Sequence, residues 1–298
     1  MGLLRKIYDI PFVTWVYSHV FNAYGEYIKW LVKRDRRKIE IDFSQKGKEI
    51  LFLTVAFNNE KLIEEQIRRM KLFVEDLDYD YVVVDNSSAK EKRTAIETVC
   101  RAAGVEYVAV PAYIHQHIHT RTFWAGYSHG AALNWAMVHV VTPRNPKRLM
   151  LLDHDLMPMK PVNMTERLGD KDFFGALRKR EGGWYLWPGF SLFRTDKLFD
   201  SKPNFMPIYI GRSYLDTGGS NYLRLFSKYY LNKLEFAIEL TKRIQITPGL
   251  KDNSEIYHTD CIQQYDKSWV HLVNGSNYTR MKSKEAMLTR ILADFKKK

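Results

Sequence analysis

Asp153 and Asp155 stand two residues apart at the end of Arg148-Leu149-Met150-Leu151-Leu152, a run in which four of five residues are apolar and strand-like. In extended backbone, residues two apart point to one side, so the two carboxylates converge while His154 faces away. At the mouth of a low-dielectric sheet such a pair repels, and one member is driven to protonate unless a cation lies between them. Oxygen-rich sites of this kind suit Mg²⁺ or Mn²⁺, which bind one or two carboxylates together with substrate phosphates. The pair reads as a metal and diphosphate site with Asp153 and Asp155 as ligands.

Such a site needs a sheet to hold it. Glu49 to Ala56 is a continuous apolar run of the kind found in strands buried on both faces, and Glu60 to Phe73 then spaces Leu62, Ile63, Ile67 and Met70 helically. Tyr81 to Val84 predicts a second strand, Lys90 to Ala103 a helix closed by Gly104, and Val105 to Val110 a third strand. A helix around Gly130 to Val140 and a strand over Arg148 to Leu152 complete the alternation. This rhythm implies an α/β fold, a mostly parallel Rossmann-like sheet flanked by helices. Function then belongs at the carboxyl ends of the strands. All of the informative ends are polar: Phe57-Asn58-Asn59-Glu60, Asp85-Asn86-Ser87-Ser88 and Asp153-His154-Asp155.

In the order and spacing of these segments over Glu49 to Asp155, the chain resembles the GT-A glycosyltransferases, specifically an inverting, family-2-like branch that uses nucleotide-diphosphate sugars. Leu151-Leu152-Asp153-His154-Asp155 is similar to their Asp-x-Asp motif, and Leu53 to Asn59, with Ala56 and Asn58, to the first nucleotide-binding strand and loop. Asp85 looks like the acid that meets the base or ribose. Gly130-Ala131-Ala132-Leu133-Asn134 resembles the small-residue helix before the motif, which implicates Asn134 in donor binding. In the second half, Gly182 to Phe190 occupies the place of the acceptor loop, with a hydrophobic turn as the alternative. Asp216, ahead of an expected helix from Ser220 to Leu240, resembles the catalytic base, although the family's Glu-Asp pair is here Leu215-Asp216; a turn or cap residue is the other reading. His271 looks like the metal- or diphosphate-binding histidine of the C-terminal segment, with His258 as competitor. His115, His117 and His119 alternate and would share one face in extended backbone, yet nothing nearby supplies a second shell for zinc or copper. That loop is read as bordering the donor pocket, with Arg121 reaching a phosphate.

The resemblance implies transfer of a sugar from a nucleotide-diphosphate donor to a glycan or lipid-linked acceptor, with Mn²⁺ or Mg²⁺. Two other classes compete. A sugar-nucleotide nucleotidyltransferase usually carries a glycine-rich phosphate loop after the first strand, whereas Phe57-Asn58-Asn59-Glu60 contains no glycine. A basic module for membrane or nucleic acid fits the net charge of +12, but no nucleic-acid recognition motif accompanies it. The expected organisation is an N-terminal amphipathic, basic helical segment (1–45), a nucleotide-sugar half (46–160), and an acceptor half with the C-terminal segment in the same domain (161–298).

With 45% hydrophobic residues, 298 residues can bury a large core, which excludes disordered or collagen-like classes. Two cysteines, Cys100 and Cys261, are too few for a disulfide framework and indicate a reducing, cytoplasmic setting; no secretory leader is evident, and four N-x-S/T matches are discounted. Bulky residues at Phe12, Trp15, Val16, His19, Val20, Ala23, Tyr27, Trp30 and Leu31 follow helical spacing and run into Lys33, Arg34, Arg36, Arg37 and Lys38. The uncharged stretch is shorter than the roughly 20 residues that span a bilayer. Either the stripe packs on the main domain, or it lies in the plane of an anionic membrane, giving peripheral contact through residues 10–38 on the cytoplasmic face.

Overall fold

The computed structural model describes residues 11–36, 39, 47–116, 125–243 and 261–272. Arg121, His117, His119 and His258 lie outside these residues, as does the side chain of His115, so their expected roles have no structural counterpart here.

Helix α1 (Pro11–Arg34) opens the described chain. Strand β1 (Ile50–Ala56) is buried at every residue and leads into α2 (Glu60–Phe73), β2 (Tyr79–Asp85), α3 (Lys90–Ala102) and β3 (Glu106–Ala109). A short α4 (Ala112–Gln116) and α5 (Ala125–Ala136) follow, and α5 runs on through a π turn at Met137–Val141 to a last turn at Thr142–Arg144. Next come β4 (Arg148–Asp153), β5 (Leu156–Pro158), β6 (Phe173–Arg180) and β7 (Gly183–Arg194). The central sheet has the order β3-β2-β1-β4-β7-β6, with β1, β2, β3 and β4 mutually parallel and β7 antiparallel to β4. The fold is therefore a mostly parallel α/β sheet flanked by helices, as the alternating pattern implied.

Period-2 alternation assigns the two faces of β1. Leu51, Leu53 and Val55 join a core with α5 and α1, whereas Ile50, Phe52 and Ala56 join a second core with α2 and α3. Burial on both sides explains why β1 reads as an unbroken apolar run.

Three expectations change. Apart from Gly182, which sits in the β6–β7 turn, Gly182 to Phe190 is not a loop: β7 carries Gly183 onward through the sheet between β4 and β6. The helix expected over Ser220 to Leu240 is one turn, Asn221–Arg224, followed by 3₁₀ turns at Phe226–Lys228 and Leu231–Lys233. Tertiary packing overrides local propensity there, because Phe226 and Tyr229 set their rings edge-on to Phe173 at 5.2 and 4.9 Å. In α1 the bulky stripe faces outward except for the half-buried Leu31. The contact face is instead Ser18, Phe21, Gly25, Ile28, Lys29 and Val32, lying on α5 and on the hairpin β8 (Ile208–Ile210) and β9 (Ser213–Leu215). Gly25 packs against Met206 and Tyr127, and an added Cβ there would make only ordinary contact at 3.6 Å.

Close backbone approach governs α5. A Cβ at Gly130 would lie 2.6 Å from the carbonyl oxygen of Phe205. Backbone cannot yield as a side-chain tip does, so Gly130→Ala is expected to destabilise the protein by about 1–3 kcal/mol in urea denaturation, as overpacking does elsewhere. Wild-type stability in that variant would show that α5 and residues 205–206 are not in tight contact.

Candidate functional site

Parallel registry brings the strand ends to one edge: Ala56 stands opposite Asp85, and Val55 opposite Asp153. The first two ends are tied to each other. Asn59 caps α2 by accepting the Leu62 N–H (3.2 Å), and Asn58, at φ +52°, donates its N–H to Ser87 Oγ (2.7 Å). Ala56 is buried, and its carbonyl accepts the Asn86 N–H (2.9 Å). Asp85 is buried too; it accepts the Ser87 N–H (2.8 Å) and the Tyr107 hydroxyl (2.8 Å), shaping the loop from within. Burial and the Asp85 charge hold the Tyr107 phenol far above its usual range. Asn134 lies in the core, donating to Asn204 Oδ1 (3.0 Å) and accepting the Phe205 N–H (2.9 Å).

The acidic pair converges through a turn rather than through extended strand. β4 ends at Asp153, His154 and Asp155 form the turn, and β5 begins at Leu156. Gln66 on α2 clamps that turn from below, its side-chain amide donating to the carbonyls of Asp153 (2.8 Å) and Leu156 (2.5 Å). A second sheet supplies the third group: β10 (Glu239–Arg243), β11 (Cys261–Tyr265) and β12 (Trp269–Leu272) pair in order with β5, placing His271 opposite Leu156. Donor atoms of Asp153, Asp155 and His271 all lie within 4.8 Å of one another. A six-coordinate ion with bonds of about 2.1 Å spaces its ligands roughly 3 to 4 Å apart, so small side-chain rotations would close the set.

Hydrogen bonding determines which nitrogen His271 presents. Gln263 donates to Glu239 Oε1 (2.8 Å) and accepts from the Tyr265 hydroxyl (3.1 Å), which orients its amide. The His271 Nδ1–H then donates to Gln263 Oε1 (2.8 Å), and Nε2 faces Asp155 Oδ1 at 3.3 Å. In the neutral ring that nitrogen offers a lone pair, as metal-ligating histidines with an oriented second nitrogen do. Two carboxylates and an imidazole nitrogen suit Mn²⁺, or Mg²⁺ with less affinity for the nitrogen. Burial pushes the Asp153 carboxyl above the usual range and the Asp155 charge adds to this, against the opposing influence of His129, His271 and His154.

Asp216 follows β9 and is exposed. Its Oδ1 accepts from the Thr217 N–H (2.8 Å) and the Tyr214 hydroxyl (3.0 Å), and its own N–H donates to the Tyr185 hydroxyl (3.1 Å). Oδ2 receives no hydrogen bond from the described residues. Burial, and then the Asp216 charge, push the Tyr185 phenol up to about 12.

Helix α5 and strand β7 link the two places. Thr217 Oγ donates to the Gly126 carbonyl (3.1 Å), and one turn further along α5 His129 Nε2 lies 3.5 Å from Asp153 Oδ1. A Cβ at Gly126 would stand 2.4 Å from Asp216 Oδ1, so a side chain there would push the Asp216 carboxylate from its present place. On β7, Tyr185 reaches Asp216 while Trp187, roughly 7 Å of strand away, sets its ring 4.6 Å from that of His271. Asp153, Asp155, His271 and Asp216 thus share one edge of the sheet, and Asn134 does not join them. His129, Gln66, Gln263 and Trp187 support this site without having been assigned by sequence. A histidine inside an otherwise apolar helix was the legible signal for His129; Gln263 and Gln66 carried none.

No protein-family model and no curated protein matches the sequence. Among solved structures, the chain is similar to the galactosyltransferase LgtC in complex with donor and acceptor sugar analogs, at 14% identity and TM-score 0.36 over 48% of this chain and 57% of that one. It is also similar to the mannosyltransferase PcManGT from Pyrobaculum calidifontis in complex with GDP-Man and Mn²⁺, at 15% identity and TM-score 0.34 over 61% and 56%. Glucosyl-3-phosphoglycerate synthase from Mycobacterium tuberculosis, with Mn²⁺, UDP and glucosyl-3-phosphoglycerate, is matched at 15% identity and TM-score 0.34 over 60% and 68%. The chain spans little more than half of the first two of these structures. Likeness at this level decides neither fold nor reaction, which rest on strand order and site geometry.

Metal occupancy has a distinctive signature. Asp153→Asn removes a charge that burial and Asp155 disfavour, so it is expected to raise the melting temperature of the metal-free protein at neutral pH while abolishing the gain on adding Mn²⁺. In the wild type that gain should approach about 2.7 kcal/mol at a hundredfold excess over the dissociation constant. It should fall as the solution is acidified through the raised Asp153 value, because the bound carboxylate must be deprotonated. A Mn²⁺ shift retained in Asp155→Asn and indifferent to pH would contradict the three-ligand site.

Proposed function

We propose that the chain is an inverting GT-A glycosyltransferase, family-2-like, moving a sugar from a nucleotide diphosphate to a hydroxyl of a glycan or glycolipid. The observation that carries this reading is the Asp153, Asp155 and His271 cluster at the carboxyl edge of a parallel sheet, linked to the open oxygen of Asp216 through α5 and β7. A bound Mn²⁺ or Mg²⁺ would offset the charge that develops on the departing diphosphate.

The chain's own residues do the rest. The loops at Asn58 and Asp85 to Ser88 form a stiff floor for the nucleotide, and Arg121, outside the described residues, is assigned to the diphosphate. Asp216 Oδ2 accepts the proton of the acceptor hydroxyl as its oxygen bonds to the anomeric carbon and the bond to the diphosphate breaks on the opposite face. Thr217 and Tyr214 hold Oδ1, so Oδ2 keeps one direction. Trp187 backs His271 and borders the space between the metal ligands and the base.

Peripheral membrane contact through residues 10–38, on the cytoplasmic face, belongs to the same reading. Phe12, Trp15, Val20, Tyr27 and Trp30 are 43–70% exposed along one side of α1, and Lys33 and Arg34 occupy its last turn. Arg34 stacks over Trp30 at 4.2 Å. Trp, Tyr and basic residues in this arrangement suit the headgroup region of an anionic bilayer. No described helix is long and apolar enough to cross a membrane.

Screening UDP, GDP, CMP and dTDP sugars for Mn²⁺-dependent hydrolysis or thermal stabilisation tests the reaction class; uniform failure would overturn it. With the donor known, Asp216→Asn should lower kcat by ~10² to 10⁴ while leaving donor binding near wild type. An unchanged kcat would remove Asp216 from the reaction. Co-sedimentation with vesicles containing phosphatidylserine should fall at least tenfold in a Trp15→Ser, Trp30→Ser variant, whereas equal binding by both proteins would exclude α1 as the contact.

A further inference from the structure

Beneath the C-terminal half of α1, away from the strand ends, lies a cavity of about 230 Å³. Lys29, Val32 and Lys33 of α1 line one side, with Thr142, Phe199 and Lys202 among the residues opposite. Lys29 is only 8% exposed, yet it makes no hydrogen bond or ion pair with any described residue. Its charged surroundings are unfavourable. Arg224 and Lys33 repel it, and Glu26, the acid acting on it, already accepts from Asn204 Nδ2 (3.1 Å) and Arg224 (3.3 Å) through one oxygen. Burial and the two like charges push the Lys29 ammonium down to about 8.

The Lys29 side chain is nearly covered yet has no acidic partner among the described residues, an arrangement that costs free energy unless an anion joins it. Here three lysines, Lys29 covered and Lys33 and Lys202 exposed, line one cavity whose remaining wall, including Val32 and Phe199, is largely apolar. Three ammonium groups match a phosphate monoester, which carries about −1.5 to −2 charge at neutral pH and three acceptor oxygens. The apolar wall asks for something attached to it. At 100° per residue, Lys33 stands on α1 between the buried face and the exposed aromatic face, so the mouth of the cavity adjoins Trp30.

We propose that this cavity binds a phosphate monoester headgroup bearing an apolar chain, with Lys29, Lys33 and Lys202 holding the phosphate. Such a molecule is an anionic lipid, and its occupancy would lock α1 to α5 and to the loop after Phe199. The inference stands apart from the transfer reaction, since none of these residues belongs to the metal or base site.

The test uses the full chain in EDTA, so that phosphate binding at a metal does not contribute, with dioctanoyl phosphatidic acid, dioctanoyl phosphatidylcholine and inorganic phosphate as probes. Calorimetry should show phosphatidic acid binding at least tenfold more tightly than either of the other two. Lys29→Met, expected to fold with a raised melting temperature, should lose at least tenfold in that affinity, and Lys202→Gln on the rim should lose severalfold. Carbon-13 NMR of lysine side chains should show the Lys29 titration moving upward when phosphatidic acid is bound. Equal affinity for phosphatidic acid and phosphatidylcholine, or undiminished binding by both variants, would overturn the site. Inorganic phosphate binding as tightly as phosphatidic acid would overturn the lipid as its source.

Discussion

Two carboxylates and one imidazole nitrogen within 4.8 Å cannot all be satisfied by each other, and the carboxyl edge of this protein is arranged around that conflict. Protons can relieve it, as the raised Asp153 value shows, or a divalent ion can. The surrounding residues favour the ion. Gln263 commits the only N–H of a neutral His271 elsewhere, Gln66 fixes the turn from below, and β12 is stitched to β5 so that the nitrogen cannot swing away. Each of these contacts maintains a repulsion that folding alone would have no reason to keep.

The fold makes this arrangement affordable by distributing its elements between two sheets. Parallel β1, β2 and β4 deliver polar tips to one edge from a core buried on both faces, and a small antiparallel sheet adds the histidine from more than a hundred residues downstream. Helix α5 touches both places at once. Its first turn passes so close to Asp216 that a side chain at Gly126 would displace the carboxylate, and its second turn offers His129 to Asp153. Strand β7 repeats the connection from the opposite side through Tyr185 and Trp187.

Much of this was legible in the sequence where the signal was local. The apolar runs of β1 and β2 and Gly104 at the end of the Lys90–Ala102 helix each follow from short-range rules, whereas the Asp153 and Asp155 pair meets through a turn rather than the extended strand its spacing implied. What escaped reading depended on tertiary partners. Gly182 to Phe190 looks like a loop because its glycines and proline suggest turns, yet those glycines admit Trp187 and Tyr222 against a central strand. In α1 the bulky residues announced a packing stripe, while the contact runs through Phe21, Ile28 and Val32 with Ser18 and Gly25 between them, an apolar face that the more numerous outward aromatics outweigh in the sequence. Asp85, expected to meet a ligand from its place at a strand end, is buried with its carboxylate on the Ser87 N–H and the Tyr107 hydroxyl, contacts that tertiary packing supplies and no local pattern announces.

The central claim is that Asp153, Asp155 and His271 jointly hold a divalent ion that receives the donor diphosphate. A crystal structure with Mn²⁺ and the nucleoside diphosphate, using anomalous scattering at the manganese edge, addresses it directly. One peak should lie about 2.1 Å from an oxygen of each aspartate and from His271 Nε2, with diphosphate oxygens completing the coordination. A peak elsewhere, or a diphosphate bound without contact to this triad, would contradict the account.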